Sequence, residues 1–125
     1  MIEGGIDIGP LLKASRSFQE SLTQVTSDLT RDGAIQRFKY TFELCWKTMR
    51  RLLRAKGADV NFPKDVFREA AADHLINDPQ AWFGFLEKRH KTTQIYKEEV
   101  AKEVFDELSK FNKALQEFLG ALAKR

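Results

Sequence analysis

One cysteine, three prolines and two histidines are all that 125 residues contain of these types, and no long uninterrupted apolar run occurs anywhere. Each scarcity removes a class of protein. Cys45 has no partner for an internal disulfide and falls among apolar residues at helical spacing, so it reads as a small buried hydrophobe. His74 and His90 are far apart and belong to no H-E-x-x-H or clustered Cys/His pattern, so no metal site is expected. A glycine-rich phosphate loop and a G-x-S-x-G elbow are also missing. Without about 18 consecutive apolar residues a membrane span is not expected. The start Met-Ile-Glu-Gly-Gly-Ile-Asp lacks a basic region followed by an apolar stretch, which argues against secretion and makes the cytoplasm the expected compartment. Excess charge of one sign is scarce too. Lys and Arg number 21 against 18 Asp and Glu, a net charge of +3 that does not demand nucleic acid. The local run Lys47, Arg50, Arg51, Arg54 and Lys56 falls opposite the apolar stripe of its helix and reads as a solvated face.

What the chain does have is helical periodicity, with no sustained alternation that would support strands. Its length suits one domain over residues 1–125. Leu11, Ala14, Phe18, Leu22, Val25 and Leu29 recur at steps of three and four, with Pro10 suited to the first turn. A second helix, capped by Asp28 or Thr30, carries Ile35, Phe38, Phe42, Cys45, Trp46, Met49, Leu52 and Leu53 on one side and ends at Gly57. Pro63 opens a short third helix through Val66, Phe67 and Ala70 to Ala72, and Asn77-Asp78-Pro79 opens a fourth with Trp82, Phe85 and Leu86. Val100, Val104, Leu108, Phe111, Leu115, Phe118 and Leu122 define a last helix of roughly 40 Å at about 1.5 Å per residue. The expected fold is all-α: an up-and-down four-helix bundle with an additional short helix. Trp46 and Trp82 are expected core anchors, while Phe83 and Phe105, on the edges of their stripes, point to a partner surface and an oligomer.

The polar stretch from Arg89 to Tyr96, between two strongly helical segments, is the expected place for a ligand. Arg89 offers a planar guanidinium that can grip a phosphate through two parallel hydrogen bonds, or else pair with Glu43 or Glu87. Tyr96 offers a phenol that can stack, donate a hydrogen bond or accept a group. Glu43 lies on the polar side of its helix and can orient Arg89 across the bundle. Arg68 and His74 form a loose Arg-x5-His spacing of a kind that arises readily by chance.

These residues carry a resemblance. Arg37-Phe38-Lys39-Tyr40-Thr41-Phe42-Glu43-Leu44-Cys45-Trp46-Lys47 resembles the R-F-E-(Y/F)-T-F-E-L-x-W-K helix of the nucleotidyltransferase substrate-binding protein family. Phe62 to Ala70 is similar to that family's S-P-R-E-V-L-R-E-A, and Arg89 to Tyr96 to its R-N-x-T-S-H-x-Y signature. The resemblance implies a homodimeric helical bundle that associates with a separately encoded minimal nucleotidyltransferase and supplies a substrate surface. It implies Arg89, His90, Gln94, Tyr96 and Glu43 as the substrate-binding set, with Mg²⁺ and a nucleoside triphosphate held by the partner. The wider HEPN group includes HepT-like ribonuclease toxins, which act through an Arg-x4-6-His motif. In them the paired nucleotidyltransferase attaches AMP to the Tyr of Arg-x4-His-x-Tyr. On that alternative RNA would be a partner and Tyr96 the modified residue.

One departure bears on chemistry. Gln94 stands at the His position while Arg89 and Tyr96 remain, and His90 replaces the usual Asn. A histidine shuttles protons near neutrality, whereas a glutamine amide only donates and accepts hydrogen bonds. A non-catalytic subunit is therefore the expected reading. Substitution by His90 would require it to share a face with Gln94, four residues on.

Overall fold

The computed structural model describes residues 2–124. A hairpin comes first: β1 (Ile2–Glu3) pairs antiparallel with β2 (Ile6–Asp7), Ile2 facing Asp7 and Glu3 facing Ile6. Sequence reasoning, expecting no strands, missed it. The turn requires its glycines, because Gly4 and Gly5 take φ of 54° and 80°, the left-handed pair of a tight hairpin loop. Five α-helices follow: α1 (Gly9–Leu22), α2 (Asp28–Ala55), α3 (Pro63–Ala72), α4 (Pro79–Lys91) and α5 (Glu98–Ala123), with a 3-10 turn over Thr92–Gln94.

Helices α1, α2, α4 and α5 run up, down, up and down, and α3 lies within the connection from α2 to α4. Side-chain pairs fix these directions. Ser17 of α1 meets Tyr40 of α2. Arg31 and Glu98 join the starts of α2 and α5, and Asn77, just before α4, reaches Glu117 near the end of α5. The expected all-α bundle with an extra short helix is the fold observed. Among the described residues no helix is long and apolar enough to cross a membrane.

Two boundaries differ from expectation. The first helix stops at Leu22, so Val25 lies in the connection, and Leu29 belongs to α2, where it is 82% exposed. The break is polar and local: the Thr23 hydroxyl donates to the Glu20 carbonyl at 2.7 Å, and a new cap begins at Ser27. Neither Asp28 nor Thr30 is that cap. The Ser27 side chain accepts from the Thr30 N–H, and the Thr30 hydroxyl oxygen accepts from the Ser27 N–H at 2.9 Å, a reciprocal capping box.

The core is aromatic. Phe111 of α5 meets Phe38 at 4.9 Å, Phe85 at 5.3 Å and Phe18 at 5.4 Å between ring centres, all edge-to-face. Such geometry sets the positive ring edge against the negative face. Trp82 is buried beside Phe42, Phe67 and Phe85. Trp46 is not its counterpart: it is half-buried, with its ring N–H donated to Glu43 and Arg50 lying over its face at 5.2 Å. Phe83 and Phe105 are half-buried, one side of each packed against the core, and Lys64 and Arg68 sit over the Phe83 ring. Cys45 is buried in apolar surroundings, which push its thiol pKa well up and leave it inert as a nucleophile at neutral pH.

Gly57 closes α2 in a left-handed conformation, φ 96°, with Ala58 N–H bonded to the Leu53 carbonyl and Gly57 N–H to that of Arg54. This is the Schellman arrangement. Helix α3 ends in the same way, but the left-handed residue is His74, φ 60°, with His74 N–H on the Ala71 carbonyl and Leu75 N–H on that of Ala70.

Candidate functional site

Helix α4 ends in four basic residues, Lys88 to Lys91, where its exposed carbonyls favour positive charge. The chain then tightens into the 3-10 turn, held by the Thr92 hydroxyl, which donates to the Arg89 carbonyl at 2.7 Å. Thr92 is itself buried. The polar segment is thus the last helical turn and its continuation, packed against α2, α4 and α5.

Arg89 turns toward α2. Its Nε donates to Glu43 Oε1 at 3.0 Å, and the second carboxylate oxygen of Glu43 accepts from Trp46 Nε1 at 3.2 Å and lies 3.8 Å from Lys47 Nζ. The side chains of Arg89 and Glu43 are 23% and 30% exposed. This is the cross-bundle pairing expected from the sequence, and Glu87 takes Lys91 instead, at 3.6 Å. The geometry has a chemical consequence. Glu43 engages the guanidinium through Nε alone, so the two terminal nitrogens that would form a fork with a phosphate remain unengaged among the described residues.

Gln94 and Tyr96 follow on the same connection, both exposed, Tyr96 at 79% with Lys97 Nζ 5.9 Å from its ring. His90 goes elsewhere. It lines a groove of about 470 Å³ between α3 and α4 with Lys64, Phe83 and Glu87, away from the α2 side on which Arg89 meets Glu43. Among the described residues no hydrogen bond joins its imidazole to Arg89 or Glu43. Arg68 and His74 are likewise apart from it: Arg68 pairs with Asp65 at 3.2 Å, and His74 closes α3.

Two ion clusters frame the segment, and sequence reasoning anticipated neither. At the start of α5, Glu98 takes both terminal nitrogens of Arg31, at 2.6 and 3.3 Å, while Arg31 Nε donates to Asp32 at 3.1 Å. Arg31 is only 9% exposed. Its hydrogen bond holds the Glu98 carboxyl below the usual carboxylate range, and Glu98 in turn raises the arginine further. On the other side Glu103 accepts from Lys91 at 2.5 Å and lies 3.3 Å from Lys88, which lowers its pKa and raises that of Lys91. A charged residue on a core-facing helical position, as Arg31 is, was the available signal for the first cluster.

Comparison with known proteins fits this architecture. Residues 7–124 match the family described as "Nucleotidyltransferase substrate binding protein like". The chain belongs to that family. A solved structure from Haemophilus influenzae, described as revealing the fold of a substrate binding domain of a nucleotidyltransferase, superposes with TM-score 0.85 and is 27% identical, covering 94% of this chain and 99% of the other. A crystal structure from Thermus thermophilus superposes with TM-score 0.83 at 33% identity, covering 90% of this chain and 98% of the other. A Haemophilus influenzae protein named "Probable ribonuclease HepT" is 28% identical over 103 residues, 78% of this chain and 70% of that protein.

Proposed function

We propose that this substrate-binding family member is the non-catalytic subunit of a two-component nucleotidyltransferase, docking a separate minimal transferase and presenting Arg89, Gln94 and Tyr96 to the nucleotide or its acceptor. The observation that carries the reading is the side-on clamp of Arg89 by Glu43, which orients the guanidinium while leaving its two terminal nitrogens for a ligand. Trp46 and Lys47 anchor the other edge of the same carboxylate, so the clamp is braced from α2. Tyr96, beside it in sequence and exposed, supplies a stacking face or an acceptor hydroxyl.

Three carboxylates around this segment are engaged by cations: Glu43 by Arg89, Glu98 by Arg31, Glu103 by Lys88 and Lys91. They do not converge as a pair of Mg²⁺ ligands would. On this reading Mg²⁺ and the nucleoside triphosphate are held by the transferase, and a homodimer of this chain is the assembly that docks it.

A second reading has a specific observation behind it. The HepT relative, together with Arg89 and Tyr96 at the two ends of the motif, favours a ribonuclease whose Tyr96 is adenylylated by its partner. Gln94 weighs against it, because an amide holds no proton that it can exchange near neutrality. One experiment separates the two. The chain is purified alone and assayed on RNA, then co-expressed with a minimal nucleotidyltransferase from the same organism and the pair resolved by size-exclusion chromatography. We expect no cleavage and a stable complex; cleavage that disappears in Arg89→Ala would replace the subunit reading with the ribonuclease one.

A further inference from the structure

On the opposite flank of α2 from Glu43, a recess of about 310 Å³ opens between the end of α1 and the start of α2, and Arg37 forms one wall. Arg37 Nε donates to Ser17 Oγ at 3.1 Å and Nη1 to the Gly33 carbonyl at 3.1 Å. Neither partner is charged, and among the described residues Arg37 has no carboxylate within salt-bridge distance. Its charge, on a half-buried side chain, is met by neutral oxygens alone. The two neutral acceptors hold the fork in place and leave Nη2 for something else.

Glu20 lines the same recess, is exposed at its lip, and does not reach Arg37. A fixed cation and a carboxylate thus face one concavity without meeting. Gln24 adds an exposed amide, Ser21 and Thr30 add hydroxyls already donated to the Phe18 and Ser27 carbonyls, and the exposed Leu29 gives the recess one apolar side. A polyanion would be repelled by Glu20. A single phosphate placed on Arg37 would not, provided that the ligand also offers the carboxylate a hydroxyl donor.

We propose that this recess binds a small phosphorylated, hydroxyl-bearing molecule, Arg37 gripping the phosphate and Glu20 accepting a hydrogen bond from a hydroxyl. The site is separate from the Arg89 clamp, since Arg37 is tied to α1 and Glu43 to α4.

The test is a ¹H–¹⁵N titration of the full chain with inorganic phosphate, ribose and ribose 5-phosphate as probes. Ribose 5-phosphate is expected to shift the amides of Ser17, Ser21, Gly33 and Arg37 saturably and to bind more tightly than inorganic phosphate, with ribose alone giving no shift. Arg37→Gln is expected to weaken ribose 5-phosphate binding about tenfold or more, the loss of a charged hydrogen bond. Gln24→Glu, at an exposed position that leaves the fold intact, adds repulsion and weakens it as well; this variant decides the matter if Arg37→Gln does not fold. Glu20→Gln is expected to strengthen inorganic phosphate while removing the preference for the sugar phosphate. Arg89→Ala leaves all of these shifts in place. Absence of saturable shifts at the recess, equal affinity for phosphate and ribose 5-phosphate, or shifts insensitive to both Arg37→Gln and Gln24→Glu would overturn the proposal.

Discussion

At the scale of single residues, three arginines on α2 and α4 have three different fates, set by what each guanidinium meets. Arg31 is enclosed by Glu98, Asp32 and Asp28 and has little left to offer a ligand. Arg89 is held from one side by one carboxylate, and Arg37 by neutral oxygens only. The first is a latch between helix starts, and the others retain donors. The latch carries a pH dependence whose sign follows from its pKa shifts. Glu98 titrates below its ordinary value near 4.5 because Arg31 bonds its charged form, so the stabilisation is complete above that value and is lost as pH falls through the lower, folded one. Arg31 stays charged throughout. Glu98→Gln is therefore expected to lower the urea midpoint at neutral pH, with the gap to the wild type closing as pH drops below about 4.5. A gap that stays constant with pH would remove the latch from the account. Glu103, lowered by Lys91 and Lys88, adds acid sensitivity of the same sign.

At the scale of elements, the helix ends hold most of the differences between what the sequence implied and what the chain does. Gly57 was readable as a helix terminus because only glycine takes φ of 96° without strain, and Pro63 and Asp78-Pro79 announced α3 and α4. The end of α1 was not readable. Val25 and Leu29 extend an i, i+3, i+4 pattern by coincidence, and the break depends on hydroxyl bonds of Thr23 and Ser27 that periodicity does not register. The hairpin at Gly4-Gly5 did carry a signal, a two-glycine turn between isoleucines, but strands of two residues are too short to alternate visibly. His74 is the other terminus that departs from pattern: a non-glycine residue at φ 60° closes α3 in a position where glycine is favoured. His74→Gly is expected to stabilise the chain by about 1 kcal/mol, raising the thermal midpoint by roughly 4 °C in calorimetry. An unchanged or lower midpoint would show that the imidazole makes a compensating contribution.

At the scale of the whole molecule, the bundle was legible because its aromatic stripes have a single geometric solution. Phe18, Phe38, Phe85 and Phe111 come from four different helices and meet edge to face, so four amphipathic staves close on one another. The candidate site was legible in part. Arg89 with Glu43 followed from residue type and face, whereas Trp46 was misplaced because an indole at helical spacing looks the same whether it fills the core or braces a carboxylate at its edge. His90 fell on a different groove because adjacent helical residues point about 100° apart. Sequence periodicity locates faces, and only packing decides which face meets which helix.

We propose that Arg89, held side-on by Glu43, grips a phosphate for a partner enzyme rather than bracing the bundle. It is tested most directly by the rate of nucleotide transfer by the co-purified complex, comparing wild type, Arg89→Ala and Arg89→Lys, with thermal midpoints measured on the same samples. A loss of about tenfold or more is expected in Arg89→Ala, with partial recovery in Arg89→Lys, which restores charge without the fork, and an intact complex throughout. Transfer at the wild-type rate in Arg89→Ala, with only the thermal midpoint lowered, would contradict it.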